Sequence, residues 1–591
     1  MPKSAFPFLS VLLAAVAAAE PLPAGEWLVH LGRDYPLSQQ ASATDADARI
    51  TLLLMQAAAR VDPALAEPWY WQADMLAALA RPADARNALR EYIRRAPDDV
   101  VTALRWIELS MNTLQTAEAR AEFCRTTLRE AGQWPREVRS DLRRRLAEFH
   151  WNRGERVQAQ EQAEAALTDY RMNFAARRLL DEILQTPQTP ALQLEWALAG
   201  MVLDPADASQ ALAVADLLMS WGMVGEAEPW YQHADRLQAL VAGNNPAGER
   251  PTPATRPAPG TRPAPSEARA MLAAFPRAVL DYPFNPSKYL SLTWQMPASE
   301  LPPGEPWRCT VRLKNVGTFP ITLGTERMLV PDLLCSITTR GDQERTSGPT
   351  LSLSLHQRLR LAPGEAIEQT WTLDVGPIRA SMIGTPQAAQ QVEVAGVLSP
   401  VRLDLPDGRE AWVPSIGGFT APPLRFRRSA FRATPDQVQN VIRQSQSQNV
   451  SERIAALELL SMLLAEHQHL AAGRLRYSAQ PIDAPLVQRA ILARAEDADW
   501  QVRARLAECM RWFSLDSAAT QTATRLLSDA HWLVRGLAVR MLADQHREKF
   551  LPVLQRMAES DADEWVRGMA AALAERMTTA TQPAGTPTAE E

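Results

Sequence analysis

The hydrophobic positions near the C-terminus recur in three segments that share one pattern. In each segment a Val-Arg pair follows an Asp, and Val502, Val534 and Val566 lie at intervals of 32 residues. Apolar residues stand four and seven positions after each Val, which is the spacing of one stripe on an amphipathic helix. Further apolar stretches predict a second helix before each stripe, at 486–495, 518–527 and 550–558. A fixed period of this length predicts stacked helix pairs.

The Asp that begins each segment is expected to cap the following helix by accepting its free N–H groups. This role is expected for Asp497, Asp529 and Asp561. The Asp…Val-Arg pattern resembles the short-unit HEAT repeats first noted in phycobilisome lyases. A degenerate fourth copy contains Arg453, and its distance from the next copy predicts an insertion near 467–485. The resemblance implies a helical solenoid over residues 431–577 with a tendency to bind other proteins. It does not imply lyase chemistry.

The N-terminal part of the chain, residues 20–243, is rich in Ala, Leu, Glu, Gln and Arg. Pro63 and Pro97 are 34 residues apart, and each follows a stretch of helical pattern. The landmarks of one unit are Trp69, Ala73, Leu76, Ala85, Leu89 and Pro97. These landmarks resemble the tetratricopeptide pattern, in which small residues let two helices approach closely. The resemblance implies a helical solenoid of about five or six units.

Between Ser291 and Arg427 the period of the apolar positions changes to two, which predicts β-strands. The seven predicted strands are 290–295, 307–314, 333–339, 351–361, 367–375, 391–398 and 409–413. A turn at Asn315-Val-Gly, followed later by Leu361-Ala-Pro-Gly-Glu, resembles bacterial Ig-like domains. The resemblance implies a β-sandwich over residues 267–430 that serves as a spacer or a binding module. The Pro-rich stretch 244–266 predicts a semi-rigid linker before it.

The first residues of the chain predict an exported protein. Lys3, an apolar run and small residues before Glu20 have the order of a secretory signal peptide, residues 1–19. No later run approaches the ~20 apolar residues of a membrane-spanning helix, so no integral membrane span is expected. We expect a periplasmic or extracellular location and a disordered tail at 578–591. The net charge is −6 and no concentrated basic patch occurs, so nucleic acid is not an expected partner.

The sequence contains none of five common catalytic or cofactor motifs. It lacks Gly-x-Gly-x-x-Gly, the phosphate-binding loop, His-Glu-x-x-His, Gly-x-Ser-x-Gly and Cys-x-x-Cys. We therefore expect no catalytic residue, no metal and no cofactor. Four cysteines are too few for a disulfide scaffold in a chain of this length. Cys309 and Cys335 both lie on predicted strands, and two interpretations stay open: one disulfide between them, or two separate buried thiols.

Tryptophan recurs with the C-terminal repeat, since Trp500 and Trp532 are 32 residues apart and Trp565 stands one position later in its unit. In one interpretation these rings pack over the junctions between repeats. In the other, a row of aromatic anchors flanked by arginines binds a protein partner. The candidate binding residues are then Trp500, Arg505, Arg511, Trp532 and Arg540. The repeated Arg503, Arg535 and Arg567 are instead expected to bind Asp or carbonyl groups of the adjacent repeat.

The predicted fold class is multidomain α + β, with a tetratricopeptide-like solenoid, an Ig-like sandwich and a HEAT-like solenoid. The predicted function is that of an exported, non-catalytic scaffold or assembly factor whose partners are other proteins. Its two helical surfaces are expected to be held apart by the sandwich, so that they bind partners together. Two alternatives stay open: an enzyme with a site in or beside the sandwich, and a glycan-binding module that uses exposed rings such as Trp371 and Trp412.

Overall fold

The computed structural model describes most of the chain. The described residues are 20–38, 44–130, 134–185, 189–244, 256–260, 262–325, 327–341, 344–405, 409–545 and 547–581. The predicted signal peptide 1–19 lies outside them, as do part of the predicted linker 244–266 and most of the predicted tail 578–591. A search of the described helices finds none with the length and apolar character needed to cross a membrane.

The N-terminal part of the chain is an array of helices in which most neighbours in sequence pack together. They are α1 (Ala24–Ser38), α2 (Asp45–Val61), α3 (Glu67–Ala78), α4 (Pro82–Arg95), α5 (Val100–Asn112), α6 (Ala117–Arg129), α7 (Arg136–Asn152), α8 (Arg156–Asp169), α9 (Phe174–Leu184), α10 (Pro190–Leu203), α11 (Ala208–Ser220) and α12 (Val224–Asn244). Side-chain caps begin several of them, such as Asp99, which accepts the N–H of Thr102 at the start of α5. Ala73 on α3 and Ala85 on α4 are fully buried, as the expected close approach of two helices requires.

The central part of the chain is rich in β-structure. Its strands are β1 (Leu290–Gln295), β2 (Glu300–Leu301), β3 (Arg308–Asn315), β4 (Ile321–Thr322), β5 (Asp332–Arg340), β6 (Glu344–Ser354), β7 (Arg360–Leu361), β8 (Ala366–Thr372), β9 (Gln390–Asp404), β10 (Glu410–Thr420) and β11 (Leu424–Arg428). Its helices are α13 (Ala268–Ala274), α14 (Ala278–Asp281) and α15 (Gly376–Ile383). Each of the seven predicted strands overlaps an observed one, whereas β2, β4 and β11 are additional.

Two sheets build the core of this central region. One has the strand order β1-β3-β8, and the other has the order β2-β11-β9-β5-β6, with β10 also paired to β9. Strands β4 and β7 form a separate pair. The apolar faces of the two larger sheets share one buried core, to which β3 contributes Val311 and β5 contributes Ile337. The alternation of apolar and polar residues therefore predicted which face of β3 and of β5 is buried.

The C-terminal part of the chain consists of helices that pair in the predicted order. They are α16 (Pro435–Gln444), α17 (Val450–Ala471), α18 (Ala484–Leu492), α19 (Trp500–Cys509), α20 (Ser517–Leu526), α21 (Trp532–Gln545), α22 (Arg547–Ser560) and α23 (Glu564–Thr581). The helices α17, α19, α21 and α23 pack side by side in that order. The connection between α17 and α18 is the insertion that the sequence predicts.

Helices α1 and α2 pack against the last repeats. They form one buried core with the C-terminal helices, which includes Trp27, Leu31, Leu54, Leu506 and Leu542. Helix α2 lies directly against α23, and Arg60 binds Asp563 across this contact at 3.2 and 2.9 Å. The expectation that the central region holds the two helical arrays apart is wrong. The apolar faces of α1 and α2 need a buried partner, and the C-terminal helices provide it.

The central region contacts both helical arrays. Helices α10, α11 and α12 contribute apolar side chains to its core. The backbone N–H of Val100, at the start of α5, donates to the carbonyl oxygen of Gln357 at 2.9 Å. On the other side, Gln387 Nε2 donates to Glu466 Oε2 of α17 at 2.8 Å. The β-rich region is therefore attached to helices from both ends of the chain.

Candidate functional site

A pair of charged residues links each C-terminal repeat to the next. Arg503 Nε and Nη2 bind the Asp529 carboxylate at 2.7 and 3.0 Å, and the same atoms of Arg535 bind Asp561 at 2.9 and 2.8 Å. Burial alone would raise the pKa of Asp529, but the hydrogen bonds from Arg503 and from the backbone N–H of His531, together with the nearby positive charge of Arg503, outweigh burial and hold the pKa below its ordinary value. The expected contact with the adjacent repeat is confirmed for Arg503 and Arg535, whereas Arg567 Nη1 donates to the carbonyl oxygen of Asp561 in its own unit.

The first Asp of each segment does not have the capping role expected from the sequence. Asp497 accepts the N–H of Asp499 at 3.0 Å, and that bond lies before the helix. The cap of α19 is Asp499, which accepts the N–H of Gln501 at 2.8 Å. Asp497 fixes the loop and receives Arg453 Nη2 of the preceding repeat at 3.1 Å. Arg453 thus occupies the same place as Arg503 in the next unit, which confirms the degenerate fourth copy.

Three tryptophans and one histidine form a row across the repeats, which we call the aromatic row. Trp500 stacks on His531 with ring centres 4.3 Å apart, His531 lies 5.6 Å from Trp532, and Trp565 meets Trp532 edge-on at 4.9 Å. The guanidinium of Arg60, on α2, lies 4.0 Å over the Trp532 ring. Trp565 is buried, whereas Trp500 and Trp532 are half-buried. The row makes contacts between repeats, and α2 covers one end of it.

Arg505 binds groups within the chain. Its Nη1 donates to Glu458 Oε1 at 2.6 Å, and its Nη2 donates to the carbonyl oxygen of Leu22 at 2.5 Å. Its guanidinium lies 4.0 Å from the ring centre of Trp27 on α1. Arg505 is 4% exposed. A protein partner has no access to this side chain while α1 is in place.

Arg540 and Arg511 share one buried carboxylate. Arg540 Nη1 donates to Glu508 Oε2 at 2.9 Å, and Arg511 donates to Glu508 Oε1 at 2.5 Å and to Asp544 Oδ2 at 2.6 Å. The Arg540 guanidinium faces the ring of Tyr35 on α1 at 5.4 Å, and Arg540 is fully buried. Carboxylates and α1 enclose Arg505 and Arg540, which corrects their interpretation as binding residues that flank the aromatic row. Arg511 is half-buried and pairs with Glu508 and Asp544.

A wide groove in the N-terminal array stays open, and we call it the array groove. It has a volume of about 1170 Å³, and its walls come from α7, α9, α10, the start of α11 and a loop of the central region. Trp151 on α7 and Phe174 on α9 provide aromatic surface, and Trp151 Nε1 donates to Glu182 Oε1 at 3.0 Å. Four carboxylates and two guanidinium groups line it, namely Glu148, Glu182, Asp204, Asp207, Arg178 and Arg327. The groove is therefore aromatic and predominantly acidic.

The C-terminal helices that carry these contacts between repeats are similar in sequence to a known family. Residues 489–574 match the family of HEAT repeats. The matched segment runs from α18 into α23 and contains the Arg-Asp links described above. No curated protein matches the chain. HEAT repeats are generally non-catalytic scaffolds for protein interactions, so the C-terminal helices indicate a protein-binding role.

Ionisable groups also meet in the interior, where α1 contacts the central region. Asp374 accepts the N–H of Trp307 at 2.8 Å, and His30 Nε2 lies 3.9 Å from Asp374 Oδ2. Burial raises the pKa of Asp374 to about 6 and lowers that of His30 well below its ordinary value. The adjoining cavity, also lined by Arg379 and Arg505, measures only about 50 Å³. This is room for a few water molecules and not for a substrate.

The cysteines occur as four buried, free thiols. Cys309 on β3 and Cys335 on β5 face one core from different sheets and have no bond between them. Of the two open interpretations, the structure therefore has the two separate buried thiols. Burial raises their pKa to about 11 and about 12.

Trp371 and Trp412, named for the glycan alternative, lie on different sheets and do not form a row. Within the described residues, no group of three His, Cys, Asp or Glu side chains is placed to hold a metal ion.

Sequence reasoning missed the array groove and the role of His531. Trp151 and Phe174 belong to units whose landmarks are weak, so no spacing marked them as one surface. His531 left a readable signal, because it replaces Asp499 of the preceding unit directly before the repeated Trp. Burial lowers the pKa of His531, so its ring is neutral near pH 7 and stacks as an aromatic group.

Proposed function

We propose that the protein is an exported, non-catalytic scaffold that binds an extended, basic segment of another protein in the array groove. The observation that carries the proposal is the contrast between two surfaces. The chain's own α1 and α2 cover the repeat surface that carries Arg505, Arg540 and Trp565, whereas the array groove is open. The HEAT repeat match supports a scaffold role for the molecule as a whole.

The charge of the groove selects the proposed partner. Its four carboxylates outnumber its two guanidinium groups, which belong to Arg178 and Arg327. Two of the carboxylates, Glu182 and Asp204, come from α9 and the loop after α10. Opposite charges across an interface steer encounter and exclude wrong partners. Trp151 and Phe174 add the aromatic surface that is common at protein interfaces. The preferred segment therefore carries Lys or Arg beside an apolar or aromatic side chain.

The proposal includes the domain plan predicted from the sequence. In it, residues 20–243 are a tetratricopeptide-like array, 267–430 an Ig-like sandwich and 431–577 a HEAT-like array. Consecutive packed helices support the first assignment, and two sheets around one core support the second. The contact between α2 and α23 joins the arrays into one body, so the proposed partner is held by one groove and not by two separated surfaces.

The binding proposal is tested with the full chain and a display library of ten-residue peptides. We expect enrichment of Lys and Arg next to an aromatic or apolar residue, with affinity that falls as salt concentration rises. Glu182→Arg should lower the affinity of the selected peptides about tenfold or more. The matched control is Glu161→Arg, an exposed position on α8 outside the groove, which should bind as wild type does. Enrichment of acidic peptides, or equal binding by both variants, would overturn the proposal.

Export is tested separately by cell fractionation. The complete chain should be recovered from the periplasm or the medium and should have lost residues 1–19. A chain that lacks these residues should stay in the cytoplasm. Recovery of the uncleaved chain from the cytoplasm would contradict export without bearing on the groove.

A further inference from the structure

A cavity of about 250 Å³ lies where the N-terminal helices meet the edges of both sheets, and we call it the junction cavity. Strand β8 ends one sheet and β6 ends the other, so the cavity stands at the open side of the central region. Tyr70, Trp71 and Tyr92 line it from α3 and α4, while Gln369 and Trp371 line it from β8. None of these residues lines the array groove, so the junction cavity is independent of the proposed function.

A glutamine occupies an inward position of β8 where an apolar side chain is expected. Ile367, Gln369 and Trp371 alternate along the strand on one face, and they pair with the buried Leu313, Val311 and Cys309 of β3. Gln369 Oε1 is buried and has no hydrogen-bond partner among the described residues. A buried acceptor without a partner is unfavourable, so such groups normally bind water or a ligand.

A second polar atom on the cavity wall shares this property. The Nε1 of Trp371 is a donor. It is buried and lacks a hydrogen-bond partner within the described part of the chain. Gln369 and Trp371 therefore offer an unused acceptor and an unused donor. A ligand that satisfies them must both donate and accept hydrogen bonds.

The aromatic side of the cavity is held in place by hydrogen bonds. Tyr92 donates to Asp99 Oδ2 at 2.9 Å, and Trp71 Nε1 donates to Glu67 Oε1 at 3.2 Å. Tyr70 lies between these rings, 6.2 Å from Trp71 at 89° and 5.5 Å from Tyr92 at 60°. Rings fixed in this way present faces of negative potential, against which the C–H groups of a ligand pack favourably.

We propose that the junction cavity binds a neutral polyhydroxylated ring of the size of one pyranose. Its hydroxyl groups donate to Gln369 Oε1 and accept from Trp371 Nε1, and its C–H face packs on the tyrosine and tryptophan rings. An anion is disfavoured because Glu67 and Asp99 are carboxyl groups on the wall. A cation is disfavoured because Arg33 already lies 5.1 Å over Trp371, and a cation leaves the Trp371 N–H without an acceptor.

The test uses the full chain with D-glucose, D-galactose and N-acetyl-D-glucosamine as probes. Saturation-transfer NMR and calorimetry should show binding of at least one of them in the millimolar range or tighter. Gln369→Met should weaken that binding about tenfold or more, because the methionine removes the acceptor but keeps the side-chain length. Trp371→Phe should weaken it in the same way, because the phenyl ring keeps the aromatic surface but has no N–H donor.

The matched control is Gln390→Met, since Gln390 is also a buried strand glutamine with an unpartnered Oε1 but lies outside the cavity. It should bind the sugar as wild type does. Thermal unfolding of each variant separates loss of binding from loss of fold, and Trp371→Phe serves if Gln369→Met does not fold. Three results would overturn the proposal: no sugar binds, the sugar binds equally to all variants, or only tetramethylammonium or N-acetylalanine methylamide binds.

Discussion

The indole Nε1 of Trp565 donates a 2.6 Å hydrogen bond to the carbonyl oxygen of Leu53, 512 positions away in the sequence. The same ring lies on the backbone of α21 at Gly536, where an added Cβ would stand 2.1 Å from Trp565 Cζ3. Arg60 of α2 covers the neighbouring Trp532. One tryptophan thus joins the first helices of the chain to the last two repeats.

Gly536→Ala should destabilise this contact. The Trp565 ring is held by its bond to Leu53, so it cannot move aside, and overpacking of this kind costs about 1–3 kcal/mol. Calorimetry should show a lower unfolding temperature. Gly225→Ala is the control, because nothing lies within 4 Å of the position of its added Cβ. Similar unfolding temperatures for the two variants would show that the ring is not confined.

Arg535→Lys should weaken the link between two repeats. Lysine cannot reproduce the two parallel bonds to Asp561, which are 2.9 and 2.8 Å long, so we expect a loss of about 1–3 kcal/mol in urea unfolding. Arg525→Lys is the comparison, because Arg525 pairs with Glu496 at an exposed site. Its loss should stay below about 1 kcal/mol. Equal losses of unfolding free energy would mean that the two parallel bonds of Arg535 stabilise the fold no more than an exposed ion pair does.

The stability contribution of Asp374 should depend on pH. Burial raises the pKa of this carboxyl to about 6 in the folded state, whereas its unfolded value is about 4. The folded protein then binds the proton more tightly, so this contribution is present at low pH and is lost as the pH rises through 6. Relative to wild type, Asp374→Asn should gain up to about 3 kcal/mol in unfolding free energy between pH 4 and pH 7.

This pH effect can be separated from that of His30. Burial lowers the pKa of His30, so its contribution has the opposite sign and is lost as the pH falls below its ordinary value of about 6.5. Both proteins contain His30, and the comparison of variant with wild type largely removes its effect. A difference between the two proteins that stays constant from pH 4 to pH 7 would contradict the raised pKa of Asp374.

Cys309 and Cys335 should be unreactive thiols in the folded protein. Burial raises their pKa to about 11 and about 12, which leaves almost no thiolate at pH 8. Iodoacetamide should label neither residue before denaturation and both after it, without any reductant. Cys124 and Cys509 are buried thiols in helices and provide internal controls. Labelling of both residues only after reduction would establish the disulfide instead.

The sequence predicted local structure better than it predicted which elements meet. The interval between Val502, Val534 and Val566 predicted the C-terminal repeats, because each unit repeats the same contact with its neighbour. The alternation around Val311 predicted the inward face of β3 in the same way. A stripe such as that of Trp27 on α1 indicates that the helix is buried but carries no information about its partner.

The candidate binding residues show the same limit. Arg505 and Arg540 belong to a composition typical of protein interfaces, and in the structure they do form an interface, with α1 of their own chain. Composition describes the chemistry of a contact and not whether the other side belongs to the same molecule. The groove at Trp151 and the cavity at Gln369 were invisible for a related reason, since each combines residues from distant segments without a fixed spacing.

The core shared by the first and last helices sets an order on folding. Trp27 and Leu31 leave the ribosome early, but their neighbours Leu506 and Leu542 are made only when synthesis is nearly complete. Until then the nascent chain carries an uncovered apolar hairpin at its leading end, which is prone to aggregate unless a chaperone holds it. An mRNA that ends before the last repeats would therefore yield a protein in which α1 and α2 lack their buried partner.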